Sequence, residues 1–200
     1  MTEVRSNVEG LELYSDNYPF RLSLRIRNFE ADSDFKKFVR SCENIIRKSV
    51  EYRLWVAYIK DVLQINTCMI TNERMDEVTL DVHHHIPSLF LLLKALINEK
   101  IEREEVFSTF DIALQAIEVH FSNRIGYAVL LKSMHEKFHN GFLSIPIELI
   151  RGDYRWFLDN YTRYLDEEDL ETIEYRMSIN RGNCNWSRDE YPGLVSSAGG

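Results

Sequence analysis

The sequence predicts an α+β protein in which short β-strands stand among longer helices. Residues 19–27, YPFRLSLRI, alternate apolar and polar side chains, which is the period of a half-buried strand. The segment DSDFKKFVRSCENIIRK that follows repeats apolar residues every three or four positions, as an amphipathic helix does. Further along the chain, short β-rich segments again lie between helical ones. This mixture of the two periods predicts the α+β class.

The first 60 residues are expected to form one strand and two helices. The strand places Arg21, Arg25 and Arg27 on one face and an apolar set on the other. Asp32 or Ser33 is expected to cap the first helix. A second helix follows from Ser49, and its aromatic and aliphatic side chains are interpreted as core rather than as a binding site: Tyr52, Trp55, Val56 and Ile59.

A β-hairpin is predicted next, with TCMIT and VTLDVHHH flanking the polar turn NERMDE. Its second strand runs directly into three consecutive histidines. Because side chains alternate along a strand, Asp81, His83 and His85 are expected to share one face while His84 points to the other. Pro87 ends the strand.

The remainder of the chain is predicted to be mostly helical. Two helical pieces cover residues 88 to about 122, and GYAVLL is a short strand. Ser133 is expected to cap a helix, MHEKFHN, which Gly141 stops. One amphipathic helix, one acidic helix and a polar tail complete the chain.

Composition limits the class of protein. Two hundred residues, 44% of them apolar, suffice for one domain with a sizeable core. The longest apolar run is too short to span a membrane and the N-terminus lacks signal-peptide features, so a cytoplasmic location is expected, in the host cell if the protein is phage-encoded. The three cysteines form no CxxC pair, which argues against a disulfide framework and a cysteine-bound zinc.

Charge is distributed unevenly along the chain. The net charge of −8 argues against a protein that coats nucleic acid by bulk electrostatics. Residues 1–60 nevertheless carry eleven basic against nine acidic side chains. Contacts with DNA are therefore expected at local patches, with Arg21, Arg25 and Arg27 as the first of them.

All six histidines of the chain fall between residues 83 and 139. His135 and His139 are four residues apart on a predicted helix, so their rings lie on one face and can serve one metal ion. Alone such a pair is weak support for a metal site. The predicted strand that ends in a histidine cluster strengthens the case for a metal site considerably.

A hairpin, a histidine cluster and then a helix bearing HxxxH is the order of the ββα-metal nuclease core. The sequence resembles HNH endonucleases, phage-encoded members in particular, over about residues 47–141. Residues 1–46 form an N-terminal strand and helix extension in this interpretation, residues 88–120 a helical insertion in the core, and residues 142–200 a C-terminal helical extension.

The resemblance implies a role for each matching residue. His83, His135 and His139 match the ligands of a divalent ion, and His84 matches the general base. Asn123 matches the asparagine that orients the base. The resemblance leaves the metal open among magnesium, manganese, zinc and nickel.

Three departures from the family pattern accompany the resemblance. The interval from His84 to His135 is long, and Asn123 stands slightly farther from His135 than usual. His85 opens a shifted register in which His84 is a ligand and His85 the base. Three further residues are candidates for hydrogen bonds that orient the metal ligands without binding the ion: Asp81, His85 and His120. For His120 a position on the helix surface, without such a role, is equally compatible.

The expected function is therefore metal-dependent hydrolysis of DNA phosphodiester bonds. In the alternative, the chain keeps the HNH fold as a catalytically silent DNA-binding or interaction protein. A third interpretation, a zinc-stabilised structural domain, uses the same three histidine ligands. DNA is the expected partner, no membrane contact is expected, and the oligomeric state is left open, a homodimer included.

Overall fold

The computed structural model of the protein describes residue 29 and residues 31–74 and 79–185. In chain order these residues form α1 (Asp32–Lys48), α2 (Val50–Ala57), a π-helical turn (Tyr58–Val62), β1 (Leu80–Ile86), α3 (Leu89–Glu102), α4 (Thr109–Phe121), β2 (Gly126–Leu131), α5 (Lys132–His139), a 3₁₀ turn (Ile147–Leu149), α6 (Tyr154–Tyr161), a second 3₁₀ turn (Thr162–Tyr164) and α7 (Glu167–Ser178).

The sheet of the described residues consists of two antiparallel strands, β1 and β2. Helices and one small sheet in a single fold agree with the predicted α+β class. The pairing runs from Leu80 opposite Leu131 to Ile86 opposite Gly126, with an irregularity between His84 and Ile86. Both strands are almost completely buried, which agrees with the apolar sequence GYAVLL of β2, whereas β1 buries three histidines.

The predicted hairpin partner of β1 is wrong. Segment 67–71 does not pair with β1; it forms an isolated bridge between Thr67 and Arg74, and the amide of Met69 donates to the carbonyl of Val129 in β2. The strand that pairs with β1 is GYAVLL, 40 or more residues later in the chain. Alternation in a short segment identifies a strand but not its partner, because every exposed edge offers the same backbone groups.

Helices α3 and α4, the predicted insertion, connect β1 to β2 and carry much of the core. Leu92, Leu93 and Leu96 of α3 are fully buried, and α1 packs against both α3 and α4. One contiguous core extends from Phe38 in α1 to Ile173 in α7. The three predicted segments of the chain therefore share a single hydrophobic core within the described residues.

Helix ends follow local side-chain chemistry in most places. Ser49, Ser88 and Ser108 each accept a backbone amide at the start of α2, α3 and α4. The caps predicted at Asp32 or Ser33 and at Ser133 are wrong, because α1 starts after Ala31 and α5 starts after Leu131 without a side-chain cap. Gly141 has a φ of +74° just beyond α5, as its predicted role of helix stop requires.

The C-terminal helices close over the same core. Lys94 of α3 lies 2.5 Å from carboxylate oxygens of both Asp166 and Asp169 at the start of α7. Near the other end of α7, Arg176 donates through Nη1 to the backbone carbonyl of His85 at 2.7 Å. These contacts place α7 beside β1.

The strand predicted at residues 19–27, with Arg21, Arg25 and Arg27, lies outside the described residues. Among the helices that the structure describes, none is both long and apolar enough to cross a membrane.

Candidate metal centre

The candidate metal centre lies on the face of β1 that carries Asp81, His83 and His85. Alternation along the strand turns these three side chains to the same side, and the ring centroids of His83 and His85 are 5.7 Å apart. Helix α5 begins at the residue that follows β2, so no loop separates the sheet from the helix that carries His135 and His139. Helix α5 packs against β1 and brings its two histidines over His83.

The structure brings together the three predicted ligands. One ring nitrogen from each of His83, His135 and His139 lies within 4.8 Å of the others. Nε2 of His135 and Nε2 of His139 are 2.9 Å apart. Two imidazole nitrogens on one tetrahedral ion at ordinary ligand distances stand about 3.3 Å apart. The two nitrogens therefore stand slightly closer together than two ligands of one ion would.

Two further observations test whether these residues fit a metal. Nε2 of His83 is buried and has no hydrogen-bond partner among the described residues, which costs free energy unless something binds there. Asp81 Oδ2 lies 3.2 Å from Nδ1 of His135. Because that nitrogen faces a carboxylate it carries the proton, so Nε2 of His135 presents its lone pair to the centre. The donor set thus fits a divalent ion that accepts imidazole.

The protonation behaviour of the ligands favours metal binding. Burial lowers the pKa of His83 well below its usual value, and the neighbouring histidines lower it further. Burial and the adjacent His135 also lower the pKa of His139. A metal competes with protons for the ring nitrogen, so a histidine whose pKa is lowered binds metal more readily.

His84 lies on the opposite face of β1, away from the three ligands. Its Nε2 is 2.8 Å from Nε2 of His120, and the ring stacks on Trp55 with centroids 5.6 Å apart. Nδ1 of His120 faces the carbonyl of Ala116 at 2.5 Å and therefore carries a proton. Nε2 of neutral His120 must then accept the hydrogen bond, and His84 donates it.

This pair argues against the predicted role of His84 as general base. The ring is almost inaccessible, and burial, aided by His120 and Arg47, lowers its pKa well below the usual value. His120 belongs to this interior pair rather than to the metal centre or the helix surface, and its pKa is lowered to about 4, mainly by burial. The aromatic residues Tyr52 and Trp55, predicted as core, pack against the rings of His84 and His120.

His85 occupies the face of the ligands. Both of its ring nitrogens are buried, and neither has a hydrogen-bond partner in the part of the chain that the structure describes. Burial and the neighbouring Arg176 lower its pKa to about 3, so the ring is neutral across the physiological range. A neutral imidazole with an open lone pair can accept a hydrogen bond from a water molecule or a ligand.

Asn123 lies elsewhere. It follows α4 with a φ of +56°, a conformation that asparagine tolerates better than most residues, and its carbonyl accepts the amide of Asp153 at 2.7 Å. Its side chain lines a cavity of about 760 Å³ with Arg151 and Gly152, and no histidine lines that cavity. The structure therefore gives Asn123 a turn position and no contact that orients His84 or His85.

A second cavity, of about 320 Å³, opens beside the metal centre. His85 and His139 line one end of it, and Phe138 and Arg176 line the sides. Sequence reasoning missed Arg176, because the contact with His85 joins residues 91 positions apart. Phe138 had a signal, since it stands between His135 and His139 on the predicted helix.

Comparison with protein families gives a match over most of the chain. The family model of the bacteriophage G278-like virion proteins matches residues 2–184. The chain belongs to the bacteriophage G278-like virion protein family. This membership supports the expected phage origin. Searches of curated proteins and of solved structures give no match.

The name of the G278-like virion family refers to the virus particle and not to a chemical reaction. The family description contains no word on nuclease activity, metal or DNA. The chemistry of this family member is therefore argued from its residues, above all from the three histidines that converge between β1 and α5.

Proposed function

We propose that this virion protein is a metal-dependent hydrolase of DNA phosphodiester bonds, related to the HNH endonucleases. The observation that carries the proposal is the convergence of His83 with the His135 and His139 pair, with Asp81 behind His135. The order of β1, β2 and α5, with the helical insertion between the strands, supports a ββα-metal arrangement. Three protein ligands leave coordination positions open, as in catalytic rather than closed structural sites.

The reaction is the attack of water on phosphorus. The bond from phosphorus to the leaving ester oxygen breaks, one water proton passes to solvent or a basic group, and the leaving oxygen gains a proton. A divalent ion, when bound, would neutralise charge on the phosphate and lower the pKa of water. The chain's own residues hold the ion and keep its imidazole ligands oriented.

His85 replaces His84 as the residue that faces the reacting water in this proposal. It shares the face of His83, and its two ring nitrogens have no other partner. With a pKa of about 3, His85 does not take up a proton at neutral pH. Its role is therefore to accept a hydrogen bond and orient the water. Arg176, whose guanidinium reaches the carbonyl of His85, supplies positive charge next to the site.

The proposal is tested with plasmid DNA and single-stranded DNA incubated with purified protein and magnesium, manganese, zinc or nickel. We expect cleavage that a chelator abolishes and that His135→Ala abolishes. Glu136→Ala, on an exposed position of the same helix, serves as the control and should retain cleavage. Failure of metal-loaded protein to cleave either DNA under all four ions would contradict the proposal.

A double variant, His84→Phe with His120→Phe, tests the assignment of the base. It removes both partners of the interior hydrogen bond, so no buried donor is left unsatisfied. We expect cleavage within a few-fold of the unchanged protein, since neither ring faces the metal centre. A loss on the order of 10²–10⁴-fold would restore His84 as the general base.

A second candidate function is a structural metal clamp in the virus particle. Family membership among virion proteins favours it, as does the enclosed position of His84. In this case the ion joins β1 to α5 and no bond is cleaved. Metal binding without cleavage of any DNA is the result that selects this candidate.

A further inference from the structure

The cavity of about 320 Å³ beside the metal centre carries a further inference. It lies between α5, the chain segment around Leu143 and the second half of α7. His85 and His139 form the end nearest the ligands, so a molecule in the cavity would adjoin any group held at the centre.

The residues that line the cavity are largely apolar. They include Phe138 and Tyr175, of which Tyr175 is 64% exposed. Leu143, Ile145 and Ile179 complete the apolar surface. Such residues bind an organic group by burying its surface and stacking on its face.

One cation belongs to the cavity. The guanidinium carbon of Arg176 lies 5.6 Å from the ring centroid of Phe138, and Nη1 donates to the carbonyl of His85. Burial lowers the pKa of Arg176, which nevertheless stays charged at neutral pH because an arginine pKa starts so high. The positive charge of Arg176 therefore lies next to the apolar lining of the cavity.

The polar part of the rim is ordered by its own hydrogen bonds. Ser144 donates to Asn185 Oδ1 through both its amide and its hydroxyl, each at 2.8 Å. The amide of Asn185 donates back to the Ser144 hydroxyl at 3.1 Å. These bonds fix the segment opposite α7, so the cavity is formed before any ligand arrives.

A cavity lined by apolar and aromatic residues and by one arginine, adjoining a centre suited to phosphate, matches the chemistry of a nucleotide. The volume lies at the lower end of the range for small-molecule sites and suits one nucleoside. A base inside a duplex is stacked on its neighbours and cannot enter such a cavity without leaving the helix. The ligand must therefore offer an unpaired base.

We infer that this cavity binds the nucleobase of an unpaired nucleotide next to the phosphate at the metal centre, so that single-stranded or locally opened DNA is the substrate. The inference rests on the proposed function for the identity of the phosphate ester. Tyr175 and Phe138 provide stacking surfaces in it, and Arg176 approaches the backbone of the bound strand.

Binding of a fluorescein-labelled ten-nucleotide single strand of DNA and of the corresponding duplex, followed by anisotropy, tests the inference without cleavage. It is measured on the full chain in the presence of chelator. We expect the single strand to bind more tightly than the duplex. Tyr175→Ala should weaken single-strand binding about tenfold, which is the size expected for loss of one stacked base.

Matched variants separate stacking from a general effect on the surface. Tyr175→Trp keeps an aromatic platform and should restore single-strand binding. Thr172→Trp, which fills the cavity from the same helix, should weaken it as Tyr175→Ala does. Tyr58→Ala removes another exposed tyrosine that does not line the cavity, and should change nothing.

Two outcomes would overturn the inference. One is equal binding of single strand and duplex with no effect of Tyr175→Ala; the other is a clear preference for a single strand of RNA over the DNA strand. Cleavage assays keep the two proposals distinguishable. Metal-dependent cleavage of duplex DNA that Tyr175→Ala leaves unchanged would support the hydrolase and contradict the base-binding cavity. Single-strand binding that depends on Tyr175, without cleavage of any DNA, would support the base-binding cavity and contradict the hydrolase.

Discussion

Three consecutive histidines have three different surroundings in this protein. His83 lies in the candidate metal centre, His84 donates to His120 in the interior, and His85 lines the cavity beside Arg176. Neighbouring residues on a strand point in opposite directions, so one chemical group can meet unlike surroundings within two positions. The identity of a residue therefore says less about its role than the face on which it lies.

Asp81 is expected to tune the metal centre through His135. Its carboxylate lies 3.2 Å from Nδ1 of that ligand and fixes both the tautomer and the ring orientation. Asp81→Asn should weaken zinc affinity about 10- to 100-fold, measured by competition with a chelating dye. Asp159→Asn, at an exposed position of α6, is the control. Equal zinc affinity in the two variants would show that Asp81 has no influence on the ligand.

The buried histidines should make the protein sensitive to acid. The pKa of His120 is about 4 and that of His85 about 3 in the folded chain, against about 6.5 when unfolded. Below pH 6.5 the unfolded chain takes up protons that the folded chain excludes. The free energy of unfolding must therefore decrease as the pH is lowered. The slope reaches at most about 1.4 kcal/mol per pH unit for each such histidine.

Urea denaturation between pH 4.5 and 7.5, with chelator present, measures this dependence. The double variant His84→Phe with His120→Phe should show a shallower slope, because two buried bases are removed. Identical slopes in the two proteins would mean that the interior pair does not contribute to the acid response.

At the scale of elements, the junction between β2 and α5 determines the geometry of the centre. The strand ends at Leu131 and the helix starts at Lys132. Without a loop between them, the positions of His135 and His139 follow from the pairing of β2 with β1. The candidate ligands from the strand and the helix are thereby held to one another by the backbone hydrogen bonds between β1 and β2.

Helix α4 illustrates how a local signal contributes to stability. The hydroxyl of Ser108 accepts the amide of Asp111, and the Asp111 carboxylate accepts the amide of Ser108 in return. Ser108→Ala should lower the free energy of unfolding by about 1 kcal/mol, as loss of an N-cap usually does. Ser133→Ala, in α5 where no serine caps the helix, should have little effect. Equal destabilisation by the two variants would contradict the role of the capping box.

For the molecule as a whole, a metal at the centre is expected to couple the sheet to α5 and stabilise the folded chain. Zinc at 100 times its dissociation constant should add about 2.7 kcal/mol to the free energy of unfolding. His139→Ala should abolish this gain while changing metal-free stability little, because His139 is exposed. Glu136→Ala should keep the full gain. Thermal unfolding with added zinc or chelator gives the measurement, and a melting temperature that zinc leaves unchanged would argue against the site.

The sequence by itself determined the local features of this protein. Periodicity identified most of the helices and both strands of the sheet, and glycine chemistry identified the end of α5. The spacing of His135 and His139 predicted a ligand pair, and the resemblance to HNH endonucleases added His83 to it; the structure brings the three together. Apart from that resemblance, these signals depend on neighbours within a few positions along the chain, where the geometry of a helix or a strand is known in advance.

Only the tertiary structure decided the partners. It paired β1 with β2 rather than with segment 67–71, joined His84 to His120 across 36 residues and set Arg176 against His85 across 91. None of these contacts leaves a periodic trace in the sequence, because any buried face or edge of the right polarity could have supplied the partner. The shared core between α1, α3 and α4 selects among them. For that reason the ligand trio was readable from the sequence, whereas the surroundings of His84 and His85 were not.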